Sequence, residues 1–180
     1  LFKRYAMRWQ ITRIEVINPI KWTTIRRNEV GAVAGKSSIF IEDKRQQKNS
    51  LLLQDVRYRI YAKLVFIPAK ERPKEAFTKH KPGDDENPMK YYQMFERRAT
   101  QGQCFTQPYL GCREFAANWR LVDESETLLP PLPEDRDLGI MLYDMDFDKD
   151  PKKPVAMFYR AKMEQGVIVV PDKDSEEVMR

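Results

Sequence analysis

Apolar and polar positions alternate cleanly in only a few stretches of the chain, and these set its predicted elements. Met7, Trp9 and Ile11 fall on one face of an extended segment, and after a one-residue shift Ile14 and Val16 rejoin them. Asn18-Pro19 ends that strand, and Lys21–Ile25 opens another. The run RRNEVGAVAGKSS after it reads as a basic hairpin or loop, Ile39–Ile41 is short and apolar, and Glu42–Ser50 is polar enough to be helical or disordered. Residues 55–67 give the most regular strand, with Val56, Tyr58, Ile60, Ala62, Leu64 and Phe66 inward and Arg57, Arg59, Tyr61, Lys63 and Val65 outward. Residues 68–86, rich in Lys, Pro, Glu and Asp, predict a long loop.

A helix follows. Asn87 is suited to its N-cap, Pro88 to its first position, and Gly102 to a left-handed ending. On a helical wheel Tyr91, Tyr92, Phe95 and Ala99 share one side, Lys90, Met94 and Arg97 form an adjacent stripe, and Arg98 lies on the border. Strands are then expected at 103–106 and 113–122, with a turn through Pro108, Tyr109 and Gly111 between them. LLPPLP at 128–133 reads as a stiff linker, and Leu138–Phe147 and Glu164–Val170 as strands of a small β-rich part.

Composition narrows the class. The 180 residues, 42% hydrophobic and 33% charged, suit one domain or a domain with a small appendage. No apolar run approaches the roughly 20 residues of a membrane span, and no signal-peptide pattern is visible, so no membrane contact and a cytoplasmic location are expected. The net charge of +5 is concentrated in residues 1–63, and the balance turns acidic from Asp123 onward. That asymmetry suits one end meeting a phosphate backbone. Cys104 and Cys112 form no CxxC pair and are expected to be free thiols packed in strands; with a single histidine they complete no zinc site, and no metal or cofactor is expected.

The phosphate-binding glycine motifs, GxSxG and HExxH are all absent. The ladder Asp144, Asp146, Asp148, Asp150 lacks the glycine and glutamate of a calcium loop; it is better read as the outer face of a strand whose inner face is Met141, Tyr143, Met145 and Phe147. His80, between Lys79 and Lys81, reads as a solvated side chain. Arg26, Arg27, Arg97, Arg98 and Arg113 lie near Trp22, Tyr91, Phe95, Tyr109 and Phe115, a mixture that suits single-stranded RNA.

Three segments in order, TTIRRNEVG (23–31), RRATQGQCFTQPYLGCREF (97–115) and DLGIMLYDMDF (137–147), resemble the CRISPR-associated RAMP proteins of subtype I-C, the fifth Cas type in its "d" or Dvulg branch. The resemblance implies an α+β fold: a ferredoxin-like (RRM-like) domain over residues 1–122, lacking its first strand and helix, plus a small antiparallel β-sheet over 123–180. A strand and helix are thus expected to precede Leu1. The implied function is metal-independent cleavage of the CRISPR repeat transcript (pre-crRNA), leaving a 2′,3′-cyclic phosphate. Retention on the crRNA 5′ handle follows, beside the backbone and large subunits of the type I-C surveillance complex, Cascade.

The family site joins a tyrosine from the first helix to a Lys-His pair at the start of the second. Lys90 matches the lysine, Tyr91 stands where the histidine is expected, and the tyrosine would fall at or beside Leu1. The expected catalytic residues are therefore Lys90 and Tyr91, and the RNA-binding ones Arg26, Arg27, Arg97, Arg98 and Arg113. The alternative is a non-catalytic subunit that caps the 5′ handle, and a family-free reading is a general RNA-binding domain without the RNP1 pattern.

Overall fold

The computed structural model describes residues 5–33, 35, 38–72, 83, 86–123, 125–147 and 153–180. The strands are β1 Met7–Val16, β2 Lys21–Val30, β3 Arg45–Gln54, β4 Tyr58–Phe66, β5 Arg136–Asp146, β6 Val155–Glu164 and β7 Val167–Val169. The helices are α1 Ile41–Lys44 and α2 Pro88–Thr100, with a 3-10 turn at Ala69–Glu71. Five strands form one sheet in the order β4-β1-β7-β6-β5, and β2 pairs with β3 in a separate ribbon.

The pairing is antiparallel throughout these ladders. β2–β3, β5–β6 and β6–β7 show it directly. For β1–β4, Ile67 N–H donates to Ala6 O (2.9 Å) and Ile17 N–H to Arg57 O (2.9 Å); for β1–β7, Val16 N–H donates to Gly166 O (2.8 Å) and Val170 N–H to Thr12 O (3.0 Å). The fold is a mostly antiparallel sheet with few helices.

Several local expectations are refined or corrected. Of the hairpin and the loop offered for RRNEVGAVAGKSS, the hairpin holds for Arg26–Val30, the outer half of β2, which pairs residue for residue with Arg45–Asn49. The polar run RQQKNS is accordingly strand and not helix; a ribbon exposed along one face needs no apolar alternation. Residues 103–106 and 113–122 form bends, a turn and irregular chain rather than strands, with one isolated bridge between Tyr109 and Ala116. β6 was not anticipated, although Met157, Tyr159, Ala161 and Met163 alternate strictly inward along it. In β5 the bulge at Leu142/Asp144 breaks the period of two, so Asp146 is buried while Phe147 is exposed; Met141 pairs with the buried Tyr159 but is itself exposed on this edge strand. Ile60 and Ala62 are exposed although they share a face with Leu64 and Phe66. His80, Asp148 and Asp150 lie outside the described residues.

The chain divides into two compact units, each drawing on sequence from both sides of residue 122. The first comprises Leu1–Arg13, Ile60–Leu129 and Val170–Ser175. Its core is Ala6, Met7 and Tyr91, with Leu64 and Phe66 packed against them. Trp9 meets Phe95 edge-on, ring centroids 4.7 Å apart, so α2 lies over the face of β1 that carries Met7 and Trp9.

Thr12 Oγ1 donates to Tyr61 O, and the guanidinium of Arg13 lies 3.8 Å from the centroid of the Tyr61 ring. Two residues of β1 thus face one of β4. The backbone bonds Ile67 N–H to Ala6 O and Ile17 N–H to Arg57 O differ by one residue in register, so β1 carries one extra residue, a bulge, between them.

The second unit comprises Ile14–Arg59, Pro130–Val169 and Glu176–Arg180. Val16, Met157, Tyr159, Ala161, Met163 and Ile168 are buried in it. Glu15 is buried as well and pairs with Arg59. The β6–β7 turn places Gln165 and Gly166 at φ 48° and 74°, the pairing a tight hairpin requires. Gly166 N–H donates to Glu134 O (2.9 Å), and Leu132 N–H donates to Val16 O (2.8 Å). A Cβ at Gly166 would stand 2.2 Å from the carbonyl oxygen of Leu132. Gly166→Ala is therefore expected to cost about 3 kcal/mol, combining overpacking with a strained backbone. Urea unfolding of the variant against wild type measures it.

Candidate nucleic-acid interface and catalytic helix

Helix α2 owes its position to both of its ends. Asn87 Oδ1 accepts the backbone N–H of Lys90 (2.9 Å), and Pro88 occupies the first helical position. At the other end Gly102, at φ 66°, donates to Ala99 O (3.0 Å) and Gln103 N–H donates to Arg98 O (2.9 Å). These two bonds make a Schellman ending.

The buried side of the helix is Tyr91 and Ala99, with Phe95 half-buried against Trp9. Tyr92, expected on that side, is 52% exposed. Lys90, Arg97 and Arg98 are exposed, with Met94 half-buried between the first two. Lys90 and Arg97, seven residues apart, fall on one side of the helix, and Arg98 stands off that line.

Tyr91 does not face outward. It is 9% exposed, and its hydroxyl donates to the Glu86 carboxylate. Glu86 in turn receives Arg72, whose Nη1 lies 2.9 Å from Oε2 and 3.1 Å from Oε1. Arg72 Nε donates to Ile67 O (2.8 Å), and its side chain is 4% exposed. The guanidinium also lies 5.5 Å from the centroid of the Phe66 ring, and Phe66 packs on Tyr91 with centroids 6.1 Å apart. Strand β4, its continuation through Ile67 and the start of α2 are thus tied together by one buried hydrogen-bonded ion pair. Lys90, adjacent to Tyr91, is held at the surface of this block.

Arg113 is exposed at the tip of a tight loop, where Ala117 N–H donates to Pro108 O (2.8 Å) and Phe115 N–H to Cys112 O (2.9 Å). Cys104 and Cys112, expected inside strands, are free and exposed, because this segment is built from bends, a turn and irregular chain. Arg26 and Arg27 lie in the other unit, on the β2–β3 ribbon, and point to opposite faces of it. The Arg26 face is exposed and also carries Trp22, Leu51, Leu53, Asn28 and Asn49. The Arg27 face is half-buried, and Arg27 lies 3.5 Å from Glu29, which also pairs with Lys48 at 3.1 Å.

This arrangement presents cations on a rigid helix and on a ribbon with an exposed tryptophan. A family model described as CRISPR-associated protein (Cas_Cas5) matches residues 4–171. The chain belongs to the Cas5d family. It is 39% identical to the CRISPR pre-crRNA endoribonuclease Cas5d of Mannheimia succiniciproducens, over 97% of this chain and 79% of that protein. It is 32% identical to the protein of the same name from Thermus thermophilus, over 100% of this chain and 78% of that one.

Two solved structures, each 20% identical, share the fold. One is the functionally uncharacterized protein SMU1763c from Streptococcus mutans, with TM-score 0.60 over 99% of this chain and 78% of that one. The other is a CRISPR-associated protein, with TM-score 0.59 over 97% of this chain and 76% of that one.

Within this Cas5d chain, Arg72 and Glu86 are the site residues that sequence reasoning passed over. They bracket the charged stretch 73–85, and among so many Lys, Arg, Glu and Asp nothing in the sequence marks these two as buried. Glu86 standing immediately before the N-cap is the one available hint. Removing one partner of a buried ion pair leaves an uncompensated charge, so Glu86→Ala is expected to cost about 3 kcal/mol. Asn87→Ala, which loses only the cap, is expected to cost about 1 kcal/mol. Urea denaturation of the two variants side by side tests the ordering.

Proposed function

We propose that this chain is a pre-crRNA endoribonuclease, cutting the CRISPR repeat transcript without a metal and then staying on the 5′ handle as a subunit of the type I-C surveillance complex. The observation that carries the reading is the fixed, outward presentation of Lys90 at the first turn of α2, in a chain 39% identical to a protein named for this activity.

In the reaction the 2′-oxygen attacks the adjacent phosphorus and the P–O5′ bond breaks. The products are a 2′,3′-cyclic phosphate and a 5′-hydroxyl. The 2′-OH proton leaves to solvent, and the departing 5′-oxygen takes one up. Lys90 stabilises the charge that builds on the phosphorane oxygens and supplies the proton to the leaving oxygen. Tyr91, with its hydroxyl committed to Glu86, is a positioning residue: it fixes the turn from which Lys90 projects. Without an imidazole at this position the proton transfer from the 2′-OH is slow, and turnover is expected to be modest.

Arg97, Arg98 and Arg113 on one unit and Arg26 and Arg27 on the other hold phosphate. We read β1 and β4 with α2 over them as the second half of a ferredoxin-like RAMP domain within residues 1–122, with residues 123–180 supplying the remaining strands; the strand–strand–helix order supports this. Among the described residues no helix is long and apolar enough to cross a membrane.

Lys90→Ala is expected to lower the cleavage rate about 100-fold or more, in the range of losing one preorganised charge stabiliser, while repeat affinity stays nearly unchanged. Single-turnover cleavage and filter binding of the same labelled repeat separate the two. Equal loss of rate and affinity would remove Lys90 from catalysis. For the phosphate contacts, Arg26→Ala is expected to lower the slope of log K against log salt by about 0.7 to 0.9. An unchanged slope would remove Arg26 from the contacts.

A further inference from the structure

α2 covers one face of the β1–β4 pair, the face of Met7, Trp9, Leu64 and Phe66. The opposite face of the same two strands has a different chemistry. Period-two alternation places Arg8, Gln10 and Thr12 of β1 there, and Tyr61, Lys63 and Val65 of β4. With Ala6 opposite Ile67 and Thr12 opposite Tyr61, Arg8 lies beside Val65 and Gln10 beside Lys63.

Arg13 would by strict alternation sit under the helix. The bulge brings it instead over the Tyr61 ring, 3.8 Å from the centroid. Each successive row therefore carries one cation: Arg8, then Lys63, then Arg13 with Tyr61. Rows on one face are about 7 Å apart, two residues of strand rise. Arg8 and Lys63 are exposed, and at this flank Asp172 accepts from the Gln10 amide.

We propose that this face is a second nucleic-acid site, separate from the cations of α2, and that it takes single-stranded RNA. The inference rests on reading the chain as an RNA-binding member of its family. Three cations in line at this spacing match the phosphates of an extended strand and not a surface that receives a protein by apolar burial. The Arg13–Tyr61 stack gives the strand a base-stacking platform at one end, since both a guanidinium plane and a phenol ring accept a nucleobase. A strand face with a cation in each successive row follows an extended single strand better than it follows the groove of an A-form duplex. In repeat processing such a site would hold the single-stranded RNA that flanks the hairpin.

The test uses the full-length protein and a labelled oligouridine of about twelve nucleotides, a probe with no hairpin and no repeat sequence. Fluorescence anisotropy is measured across a salt series for wild type, for R8A/K63A and for R8E/K63E. The expected result is graded loss of affinity, larger for the charge reversals, with the salt slope of R8A/K63A shallower by about 1.4, two single-strand phosphates at ~0.7 each. Matching thermal melts show that the surface changes leave the fold intact.

Unchanged affinity and slope in both variants would overturn the site. So would an RNA duplex that competes as well as the oligouridine, since the face would then be no single-strand site. Wild type that cuts the repeat but ignores oligouridine overturns this inference and leaves the proposed function standing. Oligouridine binding that depends on Arg8 and Lys63, in a protein that never cuts the repeat, supports the site and fails the nuclease reading.

Discussion

One buried ion pair ties the start of α2 to the end of β4. Arg72 and Glu86 meet at 2.9 Å in the interior, and Tyr91 completes the arrangement by donating its hydroxyl to the same carboxylate. Desolvating a guanidinium and a carboxylate costs several kcal/mol each, and the mutual attraction repays this only when the remaining hydrogen-bonding groups are engaged. Arg72 Nε on Ile67 O and Tyr91 on Glu86 provide part of that engagement, while Arg72 Nη2 is buried without a hydrogen-bond partner among the described residues. The consequence is geometric. The start of α2 is tied to the end of β4, and the exposed Lys90 stands on the first turn of that helix. Catalysis by charge stabilisation depends on such fixing, because a donor that must reorganise at the moment of reaction loses most of its advantage.

The same clamp explains how a tyrosine is accommodated at position 91. A phenol there reaches a buried carboxylate and gains packing against Phe66. Its observed contacts are those of a core residue. The cations divide accordingly between two supports: α2 and the loop of Arg113 in one unit, the β2–β3 ribbon with Trp22 and Arg26 in the other. Both supports are regular or tightly hydrogen-bonded, so the backbone that carries these cations is well defined.

Much of this was legible in the residues. Asn87, Pro88 and Gly102 marked both ends of α2 correctly because capping and left-handed termination are local chemistry. The one-residue shift in the alternation of β1 agrees with the one-residue change of register between β1 and β4. Family membership was legible as well, from three short segments. What escaped was set by partners distant in sequence. The polar run Arg45–Ser50 is a strand because β2 lies beside it, and no local propensity says so. Residues 113–122 read as a strand yet found no neighbour to pair with beyond one bridge at Ala116. Asp146 looked like an outward acid, and the bulge at Leu142/Asp144 turned it inward. Arg72 and Glu86 were hidden among similar charges, since burial of a charge is a property of the assembled core.

The central claim is that this chain, with Tyr91 committed to the fold and Lys90 left to the chemistry, still cuts RNA. The most direct measurement is incubation of the full-length protein with end-labelled subtype I-C repeat RNA in EDTA, with the product ends identified. The account predicts one slow cut per repeat that leaves a 2′,3′-cyclic phosphate. Tight binding of the hairpin with no cut at any time would contradict it and leave a handle-capping subunit in its place.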